Sequence, residues 1–329
     1  MWRKAATDWL ERRWYGQVPP NAALRALAGA FGRVAESRRR RARPERAGVP
    51  VIVVGNIAVG GTGKTPLVIA LVEARRARGW RPGVISRGHG RRTRDARRVS
   101  AGATPAEVGD EPLLIAHRTA APVAVAFRRI EAARLLVESG EVDLLIADDG
   151  LQHHGLARDL EILVIDGRRR YGNGRLLPAG PLREPAARAA RCDFIVCNGG
   201  RPEAGEVLMQ LELQQAETLD GAARRSLESF AGQGVHAVAG IGNPKRFFGS
   251  LVAKGMQVLP HAFPDHHAFR PADLDFGDDA PVLMTEKDAV KCRDFARPHW
   301  YAVPVAALLP ESFIEALAAR LAALEEAPA

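Results

Sequence analysis

Ala58-Val59-Gly60-Gly61-Thr62-Gly63-Lys64-Thr65 has the residue types and spacing of a loop that cradles a polyphosphate. In such a loop, glycines let successive backbone N–H groups curl around a β-phosphate. A lysine reaches between the β- and γ-phosphates, and the hydroxyl after it ligates Mg²⁺. Gly60, Gly61, Thr62 and Gly63 supply the backbone, Lys64 the ammonium and Thr65 the hydroxyl. Ala58 stands where the common G-x-x-x-x-G-K-[ST] pattern has its first glycine, so one tight-turn residue is absent. The surroundings are those of a strand, a loop and a helix: the apolar run Val49 to Val54 precedes the loop, and a helix-like segment opens near Pro66.

A second apolar run, Leu144 to Ala147, ends in Asp148 and Asp149. A carboxylate at a strand's end beside a phosphate loop holds Mg²⁺ or its water shell. Neighbours on a strand point to opposite sides, so the spacing leaves open which of the two faces the metal. Gln152, His153 and His154 follow, within reach of nucleotide or acceptor. A GTPase would carry Asp-x-x-Gly after this strand and Asn-Lys-x-Asp later. Asp149-Gly150-Leu151-Gln152 and Asn198-Gly199-Gly200-Arg201 fit neither, so guanine specificity is not supported.

Phosphoryl transfer to a hydroxyl also needs a group that takes or orients the acceptor proton. Asp110, in Val108-Gly109-Asp110-Glu111-Pro112, is one candidate, although its position also suits a helix N-cap. In Asp265-His266-His267, one histidine could pair with a carboxylate and tune its basicity. His261, Asp265, His266 and His267 lack the ligand spacing and the cysteine of a usual zinc site. Pro178 to Pro185 is stiff and presents Arg183 and Glu184, as a phosphate-gripping loop would, or as an ordinary connection with a surface ion pair would. Gly240-Ile241-Gly242-Asn243-Pro244 reads as a helix-entry turn and Thr285-Glu286-Lys287-Asp288 as a capped helix start.

The elements that must position these groups are short, uninterrupted apolar runs alternating with helix-like segments. Val49 to Val54, Gly83 to Ser86, Pro122 to Ala126, Leu144 to Ala147, Glu161 to Asp166 and Phe194 to Cys197 look like strands buried on both faces. The second ends in Arg87-Gly88-His89-Gly90. The fold class expected is α/β: a parallel P-loop NTPase-type sheet sandwiched by helices, with a second, smaller α/β lobe. Val207 to Leu213 alternates and Asp220-Gly221 signals a turn, which predicts a hairpin-like bridge. The expected divisions are N-terminal helices over 1–48, a nucleotide-binding domain over 49–200, a two-stranded linker over 201–233 and the smaller lobe over 234–329. A cleft between the lobes suits two substrates.

The chain has 329 residues, 47% hydrophobic and 26% charged, and carries a net charge of +9. Residues 1–50 hold twelve Lys or Arg against four Asp or Glu, so +8 of that charge sits there. Trp2, Ala5, Ala6, Trp9 and Leu10 share a helical face, Leu24, Leu27, Ala28, Phe31, Val34 and Ala35 repeat at helical spacing, and Arg38 to Arg41 are unbroken. Such helices pack on the protein body or lie in a membrane interface, drawn by anionic lipid. Nucleic-acid motifs are absent, so no nucleic-acid partner is expected. No apolar run approaches a membrane span and no secretory segment opens the chain, which predicts a protein on the cytosolic side. Cys192, Cys197 and Cys292 are expected to be reduced core thiols.

In order along the chain, Gly55-Asn56-Ile57 with Gly60 to Pro66, Ser86-Arg87-Gly88, Gly109-Asp110-Glu111-Pro112, Asp148 to His153, Gly180 to Glu184, Phe263-Pro264-Asp265-His266 and Thr285 to Asp288 together resemble the tetraacyldisaccharide 4′-kinase family of lipid A biosynthesis. The resemblance implies an ATP- and Mg²⁺-dependent transferase that phosphorylates the 4′-hydroxyl of a tetraacylated glucosamine disaccharide 1-phosphate, forming the bis-phosphorylated lipid A precursor. It implies work at the cytoplasmic face of the bacterial inner membrane, with the N-terminal helices as the peripheral contact. It makes Asp110 the catalytic base and His266 its partner, keeps Lys64 and Thr65 on phosphate and metal, and puts Asp148 and Asp149 by the metal. Arg87, Gln152, His153, Arg183 and Glu184 are then substrate-side residues. The competing class is a P-loop ATPase switch or metallochaperone whose second lobe docks a partner.

Overall fold

The structure, a computed structural model, describes residues 9–325. Trp2, Ala5 and Ala6 of the expected N-terminal face, and the end of the chain beyond 325, lie outside the described residues. The strands are β1 (Val51–Gly55), β2 (Pro82–Ser86), β3 (Arg97–Arg98), β4 (Val123–Val125), β5 (Leu144–Asp148), β6 (Leu160–Asp166), β7 (Phe194–Asn198) and β8 (Glu206–Leu213). They continue with β9 (Ala216–Thr218), β10 (Arg224–Arg225), β11 (Gly234–Ala239), β12 (Gln257–Ala262), β13 (Val282–Thr285), β14 (Trp300–Val303) and β15 (Val305–Leu308).

Nine strands form one sheet in the order β15-β8-β7-β6-β1-β5-β2-β4-β3, with the seven from β8 to β4 parallel and antiparallel strands at both edges. Because side chains alternate along a strand, Ile52 and Val54 enter one core with Leu67, Leu71 and Leu317, while Val51 and Val53 enter another with Ile130, Leu136 and Leu163. Helices Lys64–Arg76 and Arg129–Val137 thus cover opposite faces. This is the parallel sheet between helices that the buried apolar runs predict.

The smaller sheet has the order β10-β9-β14-β13-β11-β12, with a parallel set from β14 to β12. The strands within residues 201–233 divide between the two sheets. β8 joins the large sheet beside β7, whereas β9 and β10 pair with each other at the edge of the small one. Two segments distant in sequence make the crossing: Gln214 N donates to Pro304 O at 2.8 Å, between the β8–β15 and β9–β14 pairs. After β15 the chain stays with the large sheet, where the helix Glu311–Glu325 buries Phe313, Ile314, Leu317 and Leu321 in its core.

The helix Ala22–Arg41 starts at Asn21, whose side chain accepts from Leu24 N, and ends in the four arginines. It approaches the large lobe closely: a Cβ on Gly32 would lie 2.8 Å from Leu176. Among the described residues, no helix is long and apolar enough to cross a membrane.

Candidate active site

The phosphate loop joins the end of β1 to the helix Lys64–Arg76 and is held from three sides. Gly63 has φ +93°, and a Cβ there would collide with Asn198 Nδ2, so the position admits only glycine. Asn198, at the end of β7, donates to Thr62 O at 2.9 Å and accepts from Arg246 at 3.1 Å. On the opposite side Val59 N donates to Pro181 O, and Arg183 N to Ile57 O. Ala58 makes a bridge to Leu182 with its side chain buried among apolar neighbours, and its backbone is not left-handed, so glycine's freedom is unnecessary there. From the second lobe Gly242 rests on the loop, where a Cβ would sit 2.9 Å from Gly61 N; the turn at Gly240 to Pro244 both starts a helix and roofs the loop.

Strand β5 delivers the two acids beside this loop. Lys64 Nζ lies 3.6 Å from Asp149, and Arg183 lies 3.4 Å from the same carboxylate. Burial pushes Asp149 up, but Lys64 and Arg183 outweigh it and hold the group below the ordinary carboxylate value. Asp148 is buried, and neither of its carboxylate oxygens has a hydrogen-bond partner. Burial, with Glu111 and Asp149 nearby, raises its pKa. The buried Arg129 does not neutralise it directly, since Nη2 donates to the backbone oxygens of Asp148 and Asp149 at 3.3 and 3.4 Å. An unpartnered buried carboxylate with a second acid close by offers oxygen donors suited to a hard divalent cation.

Asp110 is the first residue of the helix Asp110–Thr119, whose N-cap is Gly109, so it is not itself the cap. Two glycines place it. A Cβ on Gly88 would lie 2.5 Å from Val108 O, and one on Gly109 would lie 3.0 Å from Gly88, so the β2 loop packs directly under the helix start. The buried Asp110 carboxylate accepts from His266 Nδ1 at 3.0 Å, and His266 comes from the second lobe, after β12. His89, in the β2 loop, stacks on the His266 ring at 4.7 Å. Burial pushes Asp110 up, but the His266 hydrogen bond and Lys287 outweigh it and hold its pKa below the ordinary value; the same hydrogen bond raises His266.

The remaining expected residues are distributed around a cleft of about 1550 Å³ that also takes in the arginine-bearing end of the helix Ala22–Arg41. Arg87 lines it, with its guanidinium over the exposed Phe127 ring at 4.6 Å. Gln152 donates to Glu184 at 2.6 Å and to Asn56 O at 3.0 Å. His153 Nε2 accepts from Arg129 N at 3.1 Å, and burial with the neighbouring Arg129 pushes its pKa down to about 4, leaving it neutral. The other histidines of the possible zinc group have separate partners, His261 with His236 and His267 with Asp273.

Asn198, Arg129 and Lys287 stand beside these groups without being among the expected site residues. Asn198 ends a parallel strand at the carboxyl edge where ligands bind in such sheets, a signal that the strand pattern itself carries. Arg129 has no local pattern to mark it, and Lys287, although inside the Thr285 to Asp288 motif, meets its partner Glu111 only through a contact distant in sequence.

Residues 20–322 match the family described as Tetraacyldisaccharide-1-P 4′-kinase. A tetraacyldisaccharide 4′-kinase of Xanthomonas euvesicatoria pv. vesicatoria is 53% identical over 326 residues, covering 94% of each chain. One from Methylobacillus flagellatus is 49% identical and covers 97% of each. The crystal structure of LpxK from Aquifex aeolicus in complex with ATP aligns with a TM-score of 0.74 at 25% identity, over 98% of this chain and 100% of that one. With this match over residues 20–322 and relatives about half identical along nearly their whole length, the chain belongs to the tetraacyldisaccharide-1-phosphate 4′-kinase family.

Proposed function

We propose that this chain transfers the γ-phosphoryl group of ATP to the 4′-hydroxyl of a tetraacylated glucosamine disaccharide 1-phosphate, producing the bis-phosphorylated lipid A precursor. The observation that carries the reading is the family match over residues 20–322, and the buried Asp110 bonded to His266 of the other lobe supports it. The match lends nothing to an ATPase switch or metallochaperone.

In this reading the amides of Gly60 to Gly63 hold the phosphates and Lys64 stabilises charge on the transferred group. Asp110 accepts the proton of the 4′-hydroxyl as its oxygen bonds to the γ-phosphorus, while the bond to the β–γ bridging oxygen breaks and ADP departs. His266 orients Asp110 and keeps it ionised until that proton arrives. Thr65, Asp148 and Asp149 would hold Mg²⁺, which supplies neutralisation of phosphate charge. Arg87, Gln152, His153, Arg183 and Glu184 line the acceptor side, where Arg183 and Arg87 suit an anionic substrate. The helix Ala22–Arg41 presents arginines with exposed Leu27 and Val34, the composition of a peripheral contact with an anionic membrane, here the cytoplasmic face of the inner membrane.

The test is transfer of labelled γ-phosphate from ATP to the acylated disaccharide 1-phosphate in mixed micelles. Product carrying the label at the 4′-position is expected. ATP hydrolysis at full rate without the lipid, and no labelled lipid with it, would rule the reading out.

A further inference from the structure

Consecutive residues Glu286 and Lys287 grip the helix Asp110–Thr119 at two points. The Glu286 carboxylate accepts from Arg118 at 2.6 and 2.7 Å and from Val305 N at 3.0 Å. Lys287 Nζ donates to Glu111 at 2.9 Å and to Asp265 at 3.1 Å. Glu111 and Arg118 are seven residues apart, so they share a helix face with roughly 10 Å between them along the axis. The acid is in the first turn and the base in the last, the order the helix dipole favours. The gripping dipeptide is itself rigidly based: Thr285 caps it by accepting from Asp288 N, and the buried Asp288 accepts from Gly240 N at 2.8 Å.

Lys287 stands 3.9 Å from Asp110, outside hydrogen-bonding distance. Its bonds go instead to the residue after Asp110 and to the residue before His266. We infer that Lys287 is a positioning residue: by joining Glu111 of one lobe to Asp265 of the other, it holds the interlobe Asp110–His266 pair at bonding distance. This rests on the reading of Asp110 and His266 as the pair that activates the acceptor. The side chain is only 16% exposed and stands among three carboxylates, Asp110, Glu111 and Asp265, which would repel one another without it. The other charged or titratable groups facing the pair are Lys291, near Asp110, and His89, stacked on His266. Lysine matches the task because one ammonium has three donors and a long stem, enough to reach both lobes.

The experiment compares Lys287→Met and Lys287→Arg with the unaltered full-length protein, reading kcat, the KM for ATP and the titration midpoint of His266 by NMR. In Lys287→Met, kcat is expected to fall about 10- to 100-fold, the scale of a small misplacement of reacting groups, with the KM for ATP within about 2-fold. The His266 midpoint is expected to fall toward the ordinary histidine value as the Asp110 bond is lost. Lys287→Arg, which keeps charge and reach, should recover part of both. A midpoint that stays or rises overturns the proposal, because removing a cation from an intact pair can only raise it; a kcat within 2-fold of the unaltered protein overturns it as well. If Lys287→Met does not fold, Glu111→Gln removes the first-lobe anchor and must show the same shifts. Near-normal turnover by Asp110→Asn would instead sink the reading of Asp110 as base, while the NMR midpoint would still report on Lys287.

Discussion

Asp110 and His266 lie 156 residues apart in the chain and 3.0 Å apart in the structure, bonded across the junction of two lobes. The bond has a defined pH window. His266 has its pKa raised, so the stability it contributes is complete below the ordinary value of 6.5 and is lost as pH rises through the raised value. Asp110 has its pKa lowered, so its contribution is complete above 3.8 and is lost as pH falls through the lowered value. Between these limits the pair is both stabilising and ready to accept a proton. Asp110→Asn should lower kcat by roughly 10²- to 10⁴-fold with little change in ATP affinity, and His266→Asn should move the acid limb of the pH–rate profile to higher pH. Steady-state kinetics between pH 4 and 9 check both; an acid limb that does not move in His266→Asn contradicts the coupling.

Asp148 separates stability from activity. Its raised pKa means that the ionised form costs stability above the ordinary carboxylate value, where the unfolded chain ionises freely. Asp148→Asn is therefore expected to raise the Tm of the metal-free protein by about 2 °C or more. The same change should abolish the stabilisation by Mg²⁺ with ATP and reduce turnover at least about 100-fold. Thermal unfolding with and without MgATP measures the first two effects, and a lower Tm without ligand would contradict the account.

The last helix belongs to the nucleotide-binding lobe. Leu317 is fully buried with Leu67 and Leu71, so Leu317→Ala should cost about 2–5 kcal/mol. Urea unfolding followed by ATP-analogue binding should show the loss in the nucleotide lobe. Unchanged nucleotide binding across the transition would mean that this helix is dispensable there.

Leu27 and Val34, seven residues apart on the helix Ala22–Arg41, are 57% and 52% exposed. Leu27→Glu with Val34→Glu should abolish flotation with vesicles containing anionic lipid and leave ATP binding untouched. Converting Arg38 to Arg41 to glutamine should weaken the same binding by about 1 kcal/mol per residue at low salt. Equal flotation of all three proteins would separate this helix from any membrane role.

Local chemistry was legible in the order of residues. The glycines and Lys64 declare a phosphate loop, the run from Leu144 declares a buried strand ending in acids, and the apolar runs declare a parallel sheet, because each depends on neighbours within a turn or two. Local signals left open the cap of the helix Asp110–Thr119 and the partners of the strands in 201–233. Gly109 takes the cap, and β8 finds its partners in β7 and β15, the latter some ninety residues later. Long-range contact settled the rest. It brought His266 to Asp110, set Lys287 between two lobes, left Asp148 without a partner and returned the final helix to the first core. Residue spacing encodes which face a side chain takes, but which distant face it meets depends on how whole elements pack.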